Sequence, residues 1–568
     1  MNEENFINIR KLPPLTRLVY TIGQLPTSYL MSMTYEEQLI WLCNYLAQTV
    51  IPTINNNADL VVELENYIKN LDLDSEVRAV IDEMVEDGTL EEILNQEVLG
   101  EINDKIDALE TATENLPTDE ADIVALKKFN SYTNKPLKYG KLTLPTEFSH
   151  YNFDLFREYD GTITDNLDLS KYDSEHIIYV NRDTGNDTSG TGSSEAPYKT
   201  IKKALTSITN SSTYDTYKIV CKTYRFYRNE FINESQADEL YTMYKNIIIE
   251  PDDLSKQIIV ATDQETLSWT SDGNGVYHAT RSNVRAVYNM KMKDVYGCFK
   301  EISAVSSLQS CQETADTYYI SGSTIYIHTL DGATPTTDRY LITLKLPTGQ
   351  FNIRGNLFLR LRNITFYVSG HMSFTNSSTS YENTLICENV NIFKTADNNG
   401  FSIDDVKYVY MINCKTGYNF RDGFNYHYTG MNSSDIQNAI VYENKCVGFE
   451  NGITDPDNTN NNCSSIHEGA NIIRVNGVYQ NSKGPVIADV GSAHTLMENC
   501  KVNQQYNYNA FSFYDATGSN TGKAYLIDCT SLQSVNISLN GSDDFKIRLI
   551  NFHGNYENSD LDIALWTE

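Results

Sequence analysis

The stretch VYMINCKTGY, residues 409–418, contains a short apolar run that ends at an asparagine, Asn413. The same arrangement recurs as NITFY at 363, NVNIF at 389, NKCVGF at 444, NGVYQ at 476, NCKVNQ at 499, DCTSLQ at 528 and NFHGNY at 551. Successive positions lie 26, 24, 31, 32, 23, 29 and 23 residues apart. A recurring Asn or Asp after a short strand, once per three-strand coil, is what a parallel β-helix requires, because each coil stacks its turn over the next. Asn also tolerates the left-handed backbone of such a turn.

The composition favours a large β-rich body. The 568 residues include 39 Tyr and 13 Pro, which is typical of extended strands joined by polar turns. The formal net charge of −31 disfavours nucleic acid and anionic membranes as partners, because both would repel the chain. The ten cysteines include no C-x-x-C pair, so we expect buried, reduced thiols. The first residues do not resemble a signal peptide and no apolar run is long enough for a membrane span, so neither is predicted.

The N-terminal 130 residues differ in pattern from the rest. Residues 1–52 carry a proline-containing lead and then an apolar helix, which is predicted either to cap its own neighbour or to dock on a larger assembly. Residues 53–130 read as helices, and an a/d pattern within them predicts a short coiled-coil stalk, with a single packed helix as the alternative. The members of this pattern are Leu99, Ile102, Ile106, Leu109, Thr113 and Leu116. Residues 131–175 are expected to form a linker and 176–568 the β-helix.

Two regions resemble known phage proteins. HIIYVNRDTGNDTSGTGSSEAPYKTIKKAL, residues 176–205, resembles the opening of right-handed β-helix domains of the pectate-lyase superfamily in phage tailspikes. KLPPLTRLVYTIGQLPTSYLMSMTYEEQLIWL at 11–42, followed by LDLDSEVRAVIDEMVEDGTLEEIL at 71–94, resembles the N-terminal region of tail, appendage and spike proteins of phages that infect low-GC Gram-positive bacteria. The stretch near 255–345 resembles the β-rich insertion that such proteins carry between their first coils.

The fold class expected from the repeat and the resemblance together is mainly β: a right-handed parallel β-helix, pectate-lyase-like, preceded by an α-helical N-terminal docking region and a short coiled coil. The resemblance implies a virion protein of the phage tail or appendage, assembled as a homotrimer. Its N-terminus would dock on tail or neck proteins, and its β-helix would face the host. The implied ligand is a host surface glycan, teichoic acid or capsule.

Chemistry on a polysaccharide would need carboxyl groups from neighbouring coils. Glycoside hydrolysis uses two, about 5–5.5 Å apart for retention or about 6.5–9.5 Å apart for inversion. The candidate catalytic residues are Asp422, Glu468 and Asp489. Because Asp422 precedes a glycine, a plain turn between strands is the competing interpretation.

A second group of side chains is suited to binding a sugar. The candidate substrate-binding residues are Arg421, Tyr426, His427, His467, Arg474 and His494. Arg474 would be costly to bury unpaired, so a structural ion pair with Glu468 or Asp489 is the alternative to a role in binding. The run H-x-G-x4-R-x2-G-x-Y, followed by G-P-x-I-x-D-V, begins at His467. It is similar to a run in phage β-helix families and implies family membership rather than an activity.

SSIHEGANIIR, residues 464–474, begins like the zinc-protease signature H-E-x-x-H, but Asn471 replaces the second histidine. In a strand, His467 and Glu468 would point to opposite faces, and no third ligand follows at helical spacing. No metal and no cofactor is therefore predicted, with calcium in the Asp-rich stretch 455–462 as the alternative to a solvated loop.

These observations support three functions. The first is binding of a host polysaccharide by a virion spike during adsorption. The second is a polysaccharide depolymerase, hydrolase or lyase, on the same scaffold. The third is a structural collar or stalk component.

Overall fold

The computed structural model describes residues 140–231, 239–261, 267–344, 349–367, 372–376, 382–395, 398–455, 460–506, 508–514, 522–531, 539–541 and 545–554. The chain divides into two units, Met1–Lys128 and Phe129–Glu568, and every described residue belongs to the second. The predicted docking region at 1–52 and the predicted coiled-coil stalk at 53–130 lie outside the described residues. No helix in the described part is long and apolar enough to cross a membrane.

The body consists of parallel strands, and each coil of the chain passes through three sheets in a fixed order. The first sheet contains Glu239–Thr242, Gly349–Asn352, Met372–Thr375, Phe401–Asp404, Phe424–His427, Ser464–Ile466, Ile487–Val490, Phe511–Tyr514 and Leu539–Gly541. This stacking confirms that the protein is mainly β, and it is compatible with the β-helix predicted from the repeat.

The other two sheets continue each coil. The second sheet contains Ile177–Val180, Thr216–Cys221, Asn246–Pro251, Tyr408–Ile412, Ile440–Asn444, Asn471–Val475, His494–Glu498, Lys523–Ile527 and Lys546–Ile550. The third contains Arg225–Tyr227, Ile258–Ala261, Lys415–Gly417, Val447–Asn451, Val478–Ser482 and Lys501–Asn503. Two long strands, Phe358–Tyr367 and Thr384–Phe393, run from the second sheet through the turn into the third.

The turn between the second and third sheets is left-handed at every coil that carries a marker. Backbone φ lies between 49° and 55° at seven of the eight marker positions; they are Asn363, Asn389, Asn413, Asn476, Asn499, Asp528 and Asn551. At the remaining coil the left-handed residue is Lys445, with φ of 56°, because Asn444 pairs with Ile412 and still belongs to the strand. The marker predicted at 444 is therefore one residue too early.

Side-chain amides connect these turns as the repeat predicts. Asn389 Nδ2 donates to Asn363 Oδ1 at 2.7 Å, and Asn499 Nδ2 donates to Asn476 Oδ1 at 2.9 Å. Asn476 Nδ2 also donates to Asn444 Oδ1 at 3.0 Å. The nine described cysteines are free and buried, as expected, and most of them fill the interior of the stack.

An N-terminal layer covers the second sheet. It includes a three-stranded antiparallel sheet of Gly140–Lys141, Leu155–Arg157 and Ile163–Asp165 and lies within the segment expected to be a linker. Tyr151 and Phe153 pack with Tyr442 of the second sheet, and Arg157 pairs with the buried Glu498. Since the central strands Ile440–Asn444 and Asn471–Val475 are covered on both sides, they are continuous buried runs.

A second layer, which we call the insertion, covers part of the third sheet. Its five-stranded sheet contains Thr270–Gly273, Val276–Thr280, Ser303–Ala304, Thr317–Ser321 and Thr324–His328, and its three-stranded sheet contains Val284–Lys293, Phe299–Glu301 and Tyr340–Leu344. Tyr296 stacks on Phe449 with ring centroids 4.1 Å apart, and the Tyr418 hydroxyl donates to Asp294 at 2.9 Å.

The described helices are short. They are Ile201–Ser207, Arg228–Phe231, Leu308–Glu313 and Ser433–Gln437, together with the 3-10 turn Thr146–Phe148. Ile201–Ser207 begins at the N-cap Thr200, whose side chain accepts from the Lys203 N–H, and it packs its apolar side into the interior of the stack.

Candidate functional site

The outer face of the first sheet carries no apolar cluster of the described chain. The apolar clusters of the described chain occupy the interior, the junction with the N-terminal layer, the insertion, and the junction between the insertion and the third sheet. Among the outward side chains of the first sheet, Asp404, His427 and His467 are half-buried and Tyr514 is exposed. These side chains are therefore at least partly accessible to solvent.

Strand register places one line of side chains along that outer face. Burial alternates in Phe401–Asp404, where Phe401 and Ile403 point inward and Asp404 points outward. Asp404 pairs with His427 on the next coil. Val490 lies two coils after His427, and it pairs with Tyr514 on the coil that follows. His467 lies between them, since Ile466 pairs with both Tyr426 and Asp489. We call this line the outer row; its members are Asp404, His427, His467, Val490 and Tyr514.

The centre of the outer row is a cluster of His427, His467 and Glu468, which we call the histidine–glutamate cluster. The two imidazole rings stack with centroids 4.1 Å apart and planes 15° apart. His427 Nδ1 lies 3.3 Å from Glu468 Oε1, and the Tyr428 N–H donates to Glu468 Oε2 at 2.8 Å. Both histidines are half-buried and Glu468 is exposed.

Glu468 reaches the same face as His467 because the strand ends before it. The strand Ser464–Ile466 stops one residue before His467, and Glu468 then takes a left-handed conformation with φ of 58°. The expectation that His467 and Glu468 would point to opposite faces assumed that the strand continues, and it is wrong for this reason. The turn folds the carboxylate back toward His427.

The surroundings of the cluster shift the pKa values of its two histidines in opposite directions. Burial disfavours a charged His427, but the Glu468 carboxylate outweighs burial and raises the pKa of His427. Burial and the neighbouring His427 lower the pKa of His467 to about 4, so this ring is neutral at pH 7. Burial opposes the ionisation of Glu468, yet the bonds from His427 and the Tyr428 N–H hold its pKa below the ordinary value.

Asp422 lies in the turn that leads into the first sheet. Its carboxylate accepts from the Asn462 N–H at 2.6 Å and from Asn425 Nδ2 at 2.7 Å. Burial raises the pKa of Asp422 to about 6 although these two bonds oppose it. Burial also raises the pKa of Asp404, against the effect of His427. Arg421 is half-exposed beside Asp422, with Nε 3.9 Å from Asp455 Oδ2.

Three sequence candidates lie inside the stack, where a polysaccharide cannot reach them. Tyr426, Arg474 and Asp489 are fully buried. Arg474 donates from Nη1 and Nη2 to the two Asp489 oxygens at 2.8 and 2.9 Å, and the Tyr426 hydroxyl donates to Glu443 at 2.8 Å. The structural ion pair is therefore the correct interpretation of Arg474 and Asp489, and we call this group the interior polar network. Its members are Tyr426, Glu443, Ser464, Arg474, Tyr479, Asp489 and Thr495.

His494 belongs to another surface. It lies on the second sheet, in register with Asn471, and burial lowers its pKa beside the N-terminal layer. It therefore does not join the outer row. The structure brings together His427, His467 and Glu468, whereas Asp422 and Arg421 lie in the turn before the strand Phe424–His427.

Tyr514 is the one exposed aromatic ring in the outer row, with 41% of its surface accessible. The sequence analysis missed it, because the number of residues between each asparagine marker and the next first-sheet strand varies from coil to coil. Only the register of the first sheet, which pairs Tyr514 with Val490, assigns it to this face.

No protein-family model matches the chain, and no curated protein matches it. Among solved structures, the tailspike protein gp49 from Pseudomonas phage LKA1 aligns at 11% identity over 60% of this chain and 69% of that chain, with a TM-score of 0.20. The GH136 lacto-N-biosidase from Eubacterium ramulus aligns at 8% identity over 68% of each chain, with a TM-score of 0.19. At these scores neither likeness carries an inference about this protein.

Proposed function

We propose that the protein is a spike-type virion component that binds an extended polysaccharide along the outer row. One observation supports this most directly: Asp404, His427, His467 and Tyr514 belong to one line on the face that the apolar layers leave open. Neighbouring strands lie about 4.8 Å apart, so the row offers contacts at short, regular intervals, which suits a repeating polymer.

The chemistry of the row suits sugars. Carboxylate, imidazole and phenol groups exchange hydrogen bonds with hydroxyl groups, and the exposed ring of Tyr514 offers a face for stacking. The proposed ligand is host teichoic acid or capsular polysaccharide. The right-handed pectate-lyase-like fold, the homotrimer and the N-terminal docking on the phage tail are parts of the proposal that rest on the sequence resemblance.

Binding of the full-length protein to immobilised teichoic acid and capsular polysaccharide tests the proposal. Tyr514→Ala should weaken binding about tenfold or more, which corresponds to about 1.4 kcal/mol. Tyr159→Ala is the matched control, because Tyr159 is 85% exposed and lies on the N-terminal layer. Equal effects of the two variants, or no binding by the unchanged protein, would overturn the proposal and favour a structural collar.

A polysaccharide hydrolase is the second candidate, and the carboxyl groups of Asp404 and Asp422 favour it. Asn425, which bonds Asp422, pairs with Ser402 on the preceding coil, and Asp404 lies two residues beyond Ser402. Strand geometry puts the Cα atoms of Asn425 and Asp404 roughly 8 Å apart; an inverting hydrolase needs its two carboxyl groups about 6.5–9.5 Å apart. Asp422, with a pKa near 6, would be the acid that protonates the leaving oxygen.

Release of reducing ends from the bound polymer distinguishes the two functions. If the protein is a hydrolase, Asp422→Asn abolishes release and leaves binding within about threefold, while Asp160→Asn on the exposed surface changes neither. Binding without release by the unchanged protein supports the binding function alone. Release that persists in Asp422→Asn excludes Asp422 as the acid.

A further inference from the structure

The histidine–glutamate cluster has the composition of a metal site. Three atoms that could bind a metal lie within 4.8 Å of one another: one ring nitrogen each of His427 and His467, and one carboxylate oxygen of Glu468. Two imidazoles and one carboxylate are a donor set found in zinc sites that keep an open coordination position. Imidazole nitrogen favours zinc-class transition metals over calcium or magnesium, which prefer oxygen ligands.

One ring nitrogen of His467 has no hydrogen bond within the described residues. The Nε2 atom of His467 is buried and makes no hydrogen bond within the described residues. A buried polar atom without a partner is unfavourable by about 1–3 kcal/mol, and the stacked His427 ring presents its face rather than a donor to it. A cation in the plane of the His467 ring would satisfy this atom, since the lone pair of an imidazole nitrogen lies in that plane.

The backbone at the cluster explains how Glu468 meets the histidines. Glu468 and Gly469 both have positive φ, 58° and 82°. This conformation is what brings the Glu468 carboxylate back over the histidines.

The distances require a small closure. Zinc binds imidazole nitrogen and carboxylate oxygen at about 2.0–2.2 Å, so tetrahedral ligands lie roughly 3.4 Å from one another. Rotations of the half-buried histidines and the exposed glutamate would bring the three atoms from within 4.8 Å to that separation. A fourth position then stays open toward the outer face for water or for an oxygen of a bound ligand.

We propose that His427, His467 and Glu468 bind one divalent zinc-class metal ion on the outer face of the first sheet. This site is independent of the proposed function, since it makes no assumption about the polysaccharide.

Calorimetric titration of the untagged full-length protein with Zn²⁺, after treatment with a chelator, tests the proposal. We expect one equivalent bound at the cluster, and Co²⁺ should give the visible absorption of a tetrahedral site. His467→Ala and Glu468→Gln should each weaken binding about tenfold or more, because each removes one of three protein ligands. His278→Ala is the matched control, because it removes another half-buried histidine paired with a carboxylate, Asp272, at 2.7 Å.

The outcomes separate clearly. Loss of binding in both cluster variants but not in the control supports the site. Absence of binding by the unchanged protein, full affinity in both cluster variants, or equal loss in the control overturns it. Circular dichroism reports whether each variant is folded, and His467→Asn replaces His467→Ala if the alanine variant does not fold.

Discussion

Removing Asp489 should destabilise the protein strongly although Asp489 contacts no ligand. Asp489→Ala deletes the acceptors of Arg474 Nη1 and Nη2, at 2.8 and 2.9 Å, and the acceptor of the Thr495 hydroxyl at 2.6 Å. Arg474 is fully buried, so its charge cannot recover these bonds from water.

The size of the loss in the free energy of unfolding depends on the partners that Arg474 keeps in the variant. Breaking a buried ion pair by removing one partner costs about 3–5 kcal/mol. Glu443 lies 3.8 Å from Arg474 Nε, and Ser464 still accepts from Nε at 2.9 Å, so we place the loss at the lower end, about 3 kcal/mol.

Guanidinium unfolding of the full-length protein, followed by far-UV circular dichroism, measures this loss. Glu382→Ala is the control: it removes the pair of Lys407 with Glu382, whose side chain is 61% exposed, and should cost at most about 1 kcal/mol. A loss for Asp489→Ala no larger than that of the control would refute the reasoning. Folded Asp489→Ala should also bind polysaccharide like the unchanged protein, because the Asp489 side chain points into the stack and not toward the outer face.

Three further outcomes follow from the same contacts. Lys445→Gly should raise the free energy of unfolding by about 0.5–1 kcal/mol, because lysine is disfavoured at φ of 56°. Asn413→Gly should change the free energy of unfolding little. Equal effects of the two variants in denaturant titrations would contradict this prediction. If the protein hydrolyses its ligand, release of reducing ends should fall as the pH rises through about 6, where Asp422 loses its proton; the same pH limb in residual activity of Asp422→Asn would exclude it. Tyr151→Phe should lose about 1–2 kcal/mol in thermal or chemical unfolding, since its buried hydroxyl lies 3.0 and 3.1 Å from carbonyl oxygens of two strands of the second sheet and shares its proton between them, and Tyr244→Phe, at a residue that is 51% exposed, should lose little.

The turns were predictable from the sequence because the left-handed backbone conformation restricts which residues can occupy them. Asn and Asp adopt the left-handed conformation more readily than other residues with a side chain, so their recurrence predicted the turn at seven of eight coils. At the eighth coil Lys445 adopts the left-handed conformation. The prediction placed it at the preceding residue, because that residue is Asn444.

The candidate site was predictable only in part. Alternation along a strand assigns faces while the strand lasts, and it failed at Glu468 because the strand ends at Ile466. Charge gave no guide to burial at Arg474 and Asp489, since paired charges can point inward as well as outward. The run that begins at His467 contributes Arg474, Tyr479 and Asp489 to the interior polar network.

From Asn363 onward, the longest intervals between left-handed turns are those that carry the candidate site. The turns on either side of Asp422 and His427, at Asn413 and Lys445, are 32 residues apart, and the next interval, which contains His467 and Glu468, is 31, against 23 to 29 for the others. The strands of these coils keep their register with their neighbours, so the additional residues lie in the connections. Lengthening a surface loop is disfavoured only by about 0.6 kcal/mol per doubling. If the outer row binds polysaccharide as proposed, its ligand preference can diversify by insertion and deletion beside the row while the stacked coils beneath stay unchanged.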